Sequence, residues 1–267
     1  MICIAYSDQD PVSKSAAESI SEEYELREWR GAMAYGDISL VKVDGQLTHA
    51  ERLDSMGFTH IFFMSKHFSS AGIASFTAHS LGNWTDEAAV GGKPHRLSVA
   101  SPQMMLSCIR NLKKTAPEGL NNTFEATHHG PLLETPSVFV EFGGSEEKLN
   151  GKPYASAVGL ATMEAAIRLS EHGEEFERAV IGIGGTHYPQ KFTRLAIEKG
   201  YGFAHIMPRY AFIKVGGSEN TGMVAEAISR SETEIELAVI EWKSLGSLLR
   251  GSVLEKLNEI GIDYERV

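Results

Sequence analysis

The chain has 267 residues, 42% of them hydrophobic and 22% charged, the balance of an ordinary globular protein able to bury a substantial core. No apolar run approaches the ~20 residues that span a bilayer, and the formal net charge of −10 argues against a general nucleic-acid binder while leaving room for a local basic patch. Cys3 and Cys108 are the only cysteines and both lie in apolar surroundings, which excludes a disulfide framework and leads us to expect a reducing cytoplasm.

Residues 1–7 lack a basic region and run straight into Asp8 and Asp10, so they read as a first strand at 2–6 and not as a signal peptide. A helix is expected at about 11–21, then strand-like segments near 25–29, 38–43, 59–65 and 73–78. Residues 80–98 are polar, glycine-containing and aperiodic, which predicts a long loop of a kind that often carries function. Ser101 as N-cap and Pro102 at the first position start a helix over 101–115. Within it Cys108 reads as a helix-interior residue. Strands at 123–128 and 137–142 precede a long helix over 153–172, closed by Gly173. A strand at 178–183, a helix at 189–199, a strand at 202–206, a helix at 221–230, a strand at 235–240 and a helix at 246–260 complete the chain. The alternation predicts an α/β fold, a mixed, mostly parallel sheet with helices on both faces. No repeat or linker marks an internal boundary. Residues 1–267 are therefore expected to form one compact catalytic unit, with room for two sub-lobes.

Histidines stand where the strand-like runs end. Residues 61–64 lead to His67, 73–77 to His79, 124–127 to His128 and His129, and 180–183 through a glycine turn to His187. Ligands bind at the carboxyl ends of parallel strands, and imidazole is both the commonest metal ligand and a frequent acid or base. Four such strand ends point to a metal-assisted enzyme. Glu141 sits in the otherwise apolar run 137–144, where an unpaired carboxylate would cost several kcal/mol and so needs a cation, strong hydrogen bonds or a proton. His128 and His129 would face opposite sides of a regular strand. Both reach one site only if the strand has already ended, which Gly130-Pro131 permits.

Gly184, Gly185 and Thr186, just before His187, lack the GxGxxG spacing of a dinucleotide fingerprint. Glycines here allow close backbone approach, and free amides near a helix start would favour an oxyanion or phosphate. His67 is a weaker candidate of the same kind, His205 reads as a core histidine, and His49, His60, His95 and His172 read as structural. Lys113 with Lys114, Lys191 with Arg194, and Arg209 with Lys214 are the candidate phosphate contacts, although any single pair reads first as a solvated helix face.

The string Thr127-His128-His129-Gly130-Pro131, followed by Glu134-Thr135-Pro136-Ser137-Val138-Phe139-Val140-Glu141-Phe142-Gly143, resembles the archaeal and plant type of D-aminoacyl-tRNA deacylase. Gly182-Ile183-Gly184-Gly185-Thr186-His187-Tyr188, Ser65-Lys66-His67, the stretch from Thr77 to Trp84, and His205-Ile206-Met207-Pro208-Arg209-Tyr210 fit the same family, in order along most of the chain. Gly143-Gly144-Ser145 departs from the pattern, which has one glycine there. The resemblance implies hydrolysis of the ester joining a D-amino acid to the terminal adenosine of tRNA. It also implies a phosphorylase/hydrolase-like α/β fold and dependence on zinc, with the number of ions open.

The chemistry of the residues then suggests their roles. His79, His128, His129, Glu141 and His187 are candidate zinc ligands, and Glu141, His187 and His129 are candidate acid–base groups. Gly184, Gly185, Thr186, Lys191 and Arg209 are candidate substrate contacts. Aminoacyl-tRNA is the expected partner; neither a membrane nor a protein partner is implied. A zinc aminopeptidase or amidase acting on small substrates is the enzyme alternative, and a non-catalytic tRNA- or nucleotide-binding module is the alternative of another class.

Overall fold

The computed structural model describes residues 1–29, 31–67, 72–212 and 220–267. Strands β1 (Ile2–Tyr6), β2 (Arg27–Trp29), β3 (Ala32–Tyr35), β4 (Ile38–Lys42), β5 (His60–His67) and β6 (Ser75–His79) build most of a first sheet. A short ribbon of β7 (Gly82–Asn83) and β8 (Arg96–Leu97) lies within the long segment expected to be loop. β9 (Asn121–Phe124) and β10 (Ser137–Gly143) complete the first sheet, in the order β2-β3-β4-β1-β5-β10-β6-β9. β11 (Arg178–Ile183), β12 (Tyr201–Met207), β13 (Leu237–Ile240) and β14 (Asp263–Arg266) form a second sheet, ordered β12-β11-β13-β14 and parallel throughout. The α/β class and the mostly parallel strands are as expected, divided between two sheets. Among the described residues no helix is long and apolar enough to cross a membrane.

The helices are α1 (Pro11–Glu23), α2 (Pro102–Thr115), α3 (Glu146–Leu149), α4 (Lys152–Glu171), α5 (Gln190–Lys199), α6 (Gly222–Ser229) and α7 (Ser247–Glu259). Two begin on local chemistry that the sequence announces. Asp10 accepts from the Ser13 amide ahead of Pro11, and Ser101 accepts from the Met104 amide ahead of Pro102, each satisfying a helix N–H that has no partner within the helix. The central strand β5 is apolar in succession because both its faces are buried. Phe62 and Met64 pack with α1, α2 and α4, whereas Ile61 and Phe63 join Leu53, Leu133 and Phe139 on the other face. Fully burying each such side chain stabilises the fold by about 1.5–3 kcal/mol. In the second sheet α2 and α5 cover one face, and α6 with α7 cover the other.

The expected strand at 123–128 stops at Phe124. The next three amides are handed on in turn: Glu125 N–H to Ala78 O (3.0 Å), Ala126 N–H to His187 O (2.8 Å) and Thr127 N–H to Ile206 O (3.0 Å). Residues 125–127 thus cross from the first sheet to the second, and a continued ladder in either is impossible. β3 and β14, which periodicity did not mark, are short and largely exposed strands with little apolar alternation.

Candidate active site at the junction of the two sheets

Register places the first set of side chains. β10 pairs with β5 in parallel and with β6 antiparallel, so Glu141 lies between Ser65 and Thr77, and Phe139 between Phe63 and His79. Two-residue alternation then puts Ser65, His67, His79, Phe139 and Glu141 on one face, the face that α1, α2 and α4 do not cover. Gly143 stands opposite His67, and a Cβ there would meet His67 Cδ2 at 2.7 Å, so glycine is what lets the ring pack against the sheet.

The crossing segment supplies the second set. Glu125, fully buried, points its carboxylate at His187, whose Nε2–H donates to Glu125 Oε2 at 2.9 Å. His67 Nδ1 stands 3.1 Å from Glu125 Oε1 and 3.6 Å from Glu141 Oε2. His79 Nε2 is 3.6 Å from Glu141 Oε2, and Ser65 donates to Glu141 Oε1 at 2.5 Å. His128 and His129 face one site because β9 has ended and His129 adopts φ +41°, a left-handed backbone that breaks strand alternation. Their rings lie 4.4 Å apart, and the His79 ring is 4.1 and 4.9 Å from them. Each of three groups brings its ligand atoms within 4.8 Å of one another: His79, His128 and His129; Glu125, His128 and His187; His67, Glu125 and Glu141. They open onto a cavity of about 500 Å³, lined in part by His67, His128, His129, Phe139, Glu141 and His187.

The electrostatics are those of crowded charge in a poorly solvated place. Burial opposes protonation of His67 and His79, but the Glu141 and Glu125 carboxylates outweigh it and raise both pKa values. Against its own burial, Glu141 is held well below the usual carboxylate range by the same two imidazoles. Burial, then the neighbouring His79, pushes His129 down to about 4. His128 is pushed well down by burial and by His79, His129 and His187. Of the imidazole and carboxylate atoms of this cluster, two are nonetheless left buried without a hydrogen-bond partner among the described residues, His79 Nε2 and Glu125 Oε1.

The histidine candidates and Glu141 are therefore gathered in one place, and His67 joins them. The glycine turn is a correction. Gly184 N–H donates to Met207 O (2.8 Å) and Gly185 N–H to Ser244 Oγ (2.7 Å), so neither amide is free for the oxyanion or phosphate expected there. The two glycines, at φ +95° and +78°, serve close packing instead: a Cβ at Gly184 would sit 2.5 Å from Ser244 Oγ. Thr186 and Arg209 stand exposed beside the His187 turn, outside the cavity lining, and Lys191 Nζ faces Glu241 Oε1 at 3.5 Å. Lys113 and Arg194 share a separate cavity of about 250 Å³, and Lys214 lies outside the described residues. His205 is a core residue, bonded to Thr127 Oγ1 and to Arg230 O, both at 3.2 Å. Among the described residues His60 and His95 pair with Glu232 and Asp86, away from this cluster.

Sequence reasoning missed Glu125, although it carries the signal that marked Glu141, a carboxylate inside the apolar run 124–126. It also missed Tyr188, whose hydroxyl bonds His67 Nε2 at 2.5 Å, and the role of Tyr210, whose hydroxyl bonds His187 Nδ1 at 2.8 Å.

A family profile described as D-aminoacyl-tRNA deacylase matches residues 55–265. A D-aminoacyl-tRNA deacylase of Pyrococcus furiosus is 34% identical over 76% of this chain and 72% of its own length. One of Ignicoccus hospitalis is 32% identical over 98% of both chains, and one of Aeropyrum pernix is 32% identical over 100% of this chain and 99% of its own. Among solved structures, the crystal structure of a conserved protein of unknown function superposes with a TM-score of 0.86. It is 26% identical and covers 100% of this chain and 95% of its own. With the profile spanning residues that supply both strands and crossing segment of the site, and relatives aligned end to end, the chain belongs to the D-aminoacyl-tRNA deacylase family.

Proposed function

We propose that the protein hydrolyses the ester bond between a D-amino acid and the terminal adenosine of tRNA in the cytoplasm, with zinc assisting the activation of water. As a deacylase of this family it is a hydrolase of ester bonds. The observation that carries the zinc reading is the pair of buried, unpartnered atoms, His79 Nε2 and Glu125 Oε1, inside a cluster of five imidazoles and two carboxylates. A buried polar atom without a partner costs about 1–3 kcal/mol, and a cation coordinated at His79 would relieve that cost there. The donor set is also of the right kind, since imidazole nitrogen and carboxylate oxygen are the usual ligands of catalytic zinc.

Zinc held by His79, His128 and His129, with Glu141 beside them, would supply Lewis acidity toward the attacking water and the ester carbonyl. The residues of the chain would do the rest. Glu141, kept ionised and fixed by Ser65, is placed to accept a proton from water. His187, 31% exposed at the cavity mouth and oriented by Glu125, is placed to return a proton to the departing ribose oxygen. His129, held neutral by its depressed pKa, suits a lone-pair donor better than an acid at neutral pH. A cavity of about 500 Å³ accommodates an aminoacyl-adenosine but not the tRNA body. The body must therefore lie outside, where Lys191 and Arg209 offer cations for its phosphates, with the exposed Lys66 in the cavity lining itself. With so few of them, binding should show a shallow salt dependence.

Release of amino acid from D-tyrosyl-tRNA and L-tyrosyl-tRNA, with and without added zinc, tests the proposal. Zinc-dependent hydrolysis of the D form alone supports it. No hydrolysis of either form with zinc present overturns it and moves the amidase alternative forward.

A further inference from the structure

The five histidines of the site divide by what stands behind each ring. His79 Nδ1–H donates to Ser80 O (3.1 Å), His128 Nδ1–H to Ala126 O (2.9 Å) and His129 Nδ1–H to Gly130 O (2.7 Å). A carbonyl oxygen only accepts, so in each case the proton is on Nδ1, and the neutral ring turns the lone pair of Nε2 inward. For these three the backbone itself has chosen the tautomer that binds a cation.

His67 and His187 have the opposite polarity. Their inner nitrogens face Glu125, one carboxylate oxygen each, at 3.1 and 2.9 Å. An ionised carboxylate also only accepts, so the proton of His187 is on the inner nitrogen that donates to Glu125 Oε2. The His67 contact lacks hydrogen-bond geometry, but the Glu125 and Glu141 carboxylates both face its inner nitrogen and favour a proton there over a lone pair. In both rings the lone pair therefore points outward. There each ring meets a phenol: His67 Nε2 accepts from the Tyr188 hydroxyl (2.5 Å) and His187 Nδ1 from the Tyr210 hydroxyl (2.8 Å). A hydroxyl can reverse from donor to acceptor where a carbonyl cannot, so these two rings, unlike the other three, can exchange a proton without losing a hydrogen bond.

We infer that only the carbonyl-backed set, His79, His128 and His129, is needed to hold zinc, and that His67 and His187 are acid–base residues mounted on Glu125, with Tyr188 and Tyr210 as their positioning residues. This rests on the zinc reading above and deepens it. The reaction served is balanced without a further reactant: the hydroxyl of water bonds to the carbonyl carbon, the bond from that carbon to the ribose oxygen breaks, and the proton taken from water goes to the ribose oxygen.

The test compares zinc content, after dialysis against a competing chelator, in the wild type and in His187→Gln, Tyr210→Phe, Tyr188→Phe and His128→Gln. The first three variants should keep wild-type zinc content, and His128→Gln should lose it. With D-tyrosyl-tRNA, Tyr210→Phe should lower kcat by about 10- to 100-fold and leave KM unchanged. Loss of zinc in His187→Gln comparable to that in His128→Gln would overturn the division, as would wild-type kcat in Tyr210→Phe. Should His128→Gln fail to fold, the visible spectrum of the cobalt-substituted protein decides. It should be the same for wild type and His187→Gln, and a changed spectrum would place His187 among the ligands. If the wild type hydrolyses no D-aminoacyl-tRNA, the proposed function falls while the zinc and cobalt readings still judge the ligand division. A wild type that hydrolyses D-aminoacyl-tRNA but binds no zinc defeats this inference and the zinc part of the proposed function, and leaves the deacylase reading standing.

Discussion

Replacing Glu125 with Gln keeps the volume of a fully buried side chain and removes the charge on which two imidazoles are mounted. Glutamine offers one oxygen where glutamate offers two, so either His187 loses its acceptor or His67 faces an amide N–H in place of a charged oxygen. The bond to His187, at 2.9 Å, is the better formed; the 3.1 Å approach of His67 lacks hydrogen-bond geometry and counts for less. A hydrogen bond to a charged group contributes about 1.5–3 kcal/mol. If that orientation is needed at the transition state, losing about 3 kcal/mol lowers kcat roughly 100-fold, at 1.4 kcal/mol per decade. Stability should move the other way or not at all. Glu125 shares a ligand group with Glu141, and taking away one of two neighbouring buried charges relieves repulsion and desolvation. Single-turnover release from D-tyrosyl-tRNA, read beside a thermal melt, separates the two effects. A Glu125→Gln protein with activity within threefold of wild type would refute the mounting role. A Tm lowered by more than ten degrees would show instead that the carboxylate mainly holds the two sheets together.

Glu141 and Glu125 draw protons onto His67 and His79 in the metal-free site, and zinc must displace any proton from His79; apparent zinc affinity should therefore fall as pH is lowered through the raised histidine range. Chelator competition at pH 8 and pH 6 measures this, and equal affinities would exclude it. His205, pushed down to about 4 by burial, stays neutral in the fold while the unfolded chain takes up a proton below 6.5. Its contribution is complete above pH 6.5 and lost toward pH 4, about 2 kcal/mol between pH 7.5 and pH 5. Urea denaturation of wild type and His205→Gln should show the steeper acid loss only in the wild type; parallel curves would count against it. In Gly130→Ala, the new Cβ would fall 2.2 Å from Gly92 N and 2.4 Å from Gly91 C, both backbone atoms unable to yield cheaply. That variant should lose at least 2 kcal/mol in urea denaturation and lose zinc through displacement of His129, and wild-type values in both would show that the loop gives way.

The site was readable in sequence where a residue contradicted its surroundings. Glu141 stood out as a carboxylate in an apolar strand, and His79, His128, His129 and His187 stood out at strand ends. Glu125 carries the same contradiction in a shorter apolar stretch, masked because residues 123–128 have the pattern of one continuous strand. Gly184 and Gly185 failed in the opposite direction. Glycines before a helix do expose amides, but the turn at Glu241–Ser244 supplies an acceptor for one of them and β12 an acceptor for the other.

By itself the sequence determined what depends on near neighbours: the helix starts at Asp10-Pro11 and Ser101-Pro102, the doubly buried run of β5, and the presence of chemically costly side chains that require partners. Those features follow from sterics, capping and burial within a few residues. Only the tertiary structure decided which partners they find. Ser65 meets Glu141 across 76 residues, and His187 meets Glu125 across 62, because strand register and the crossing of residues 125–127 bring them together. The polarity of each histidine is likewise a tertiary property, since it depends on whether a carbonyl or a phenol stands behind the ring.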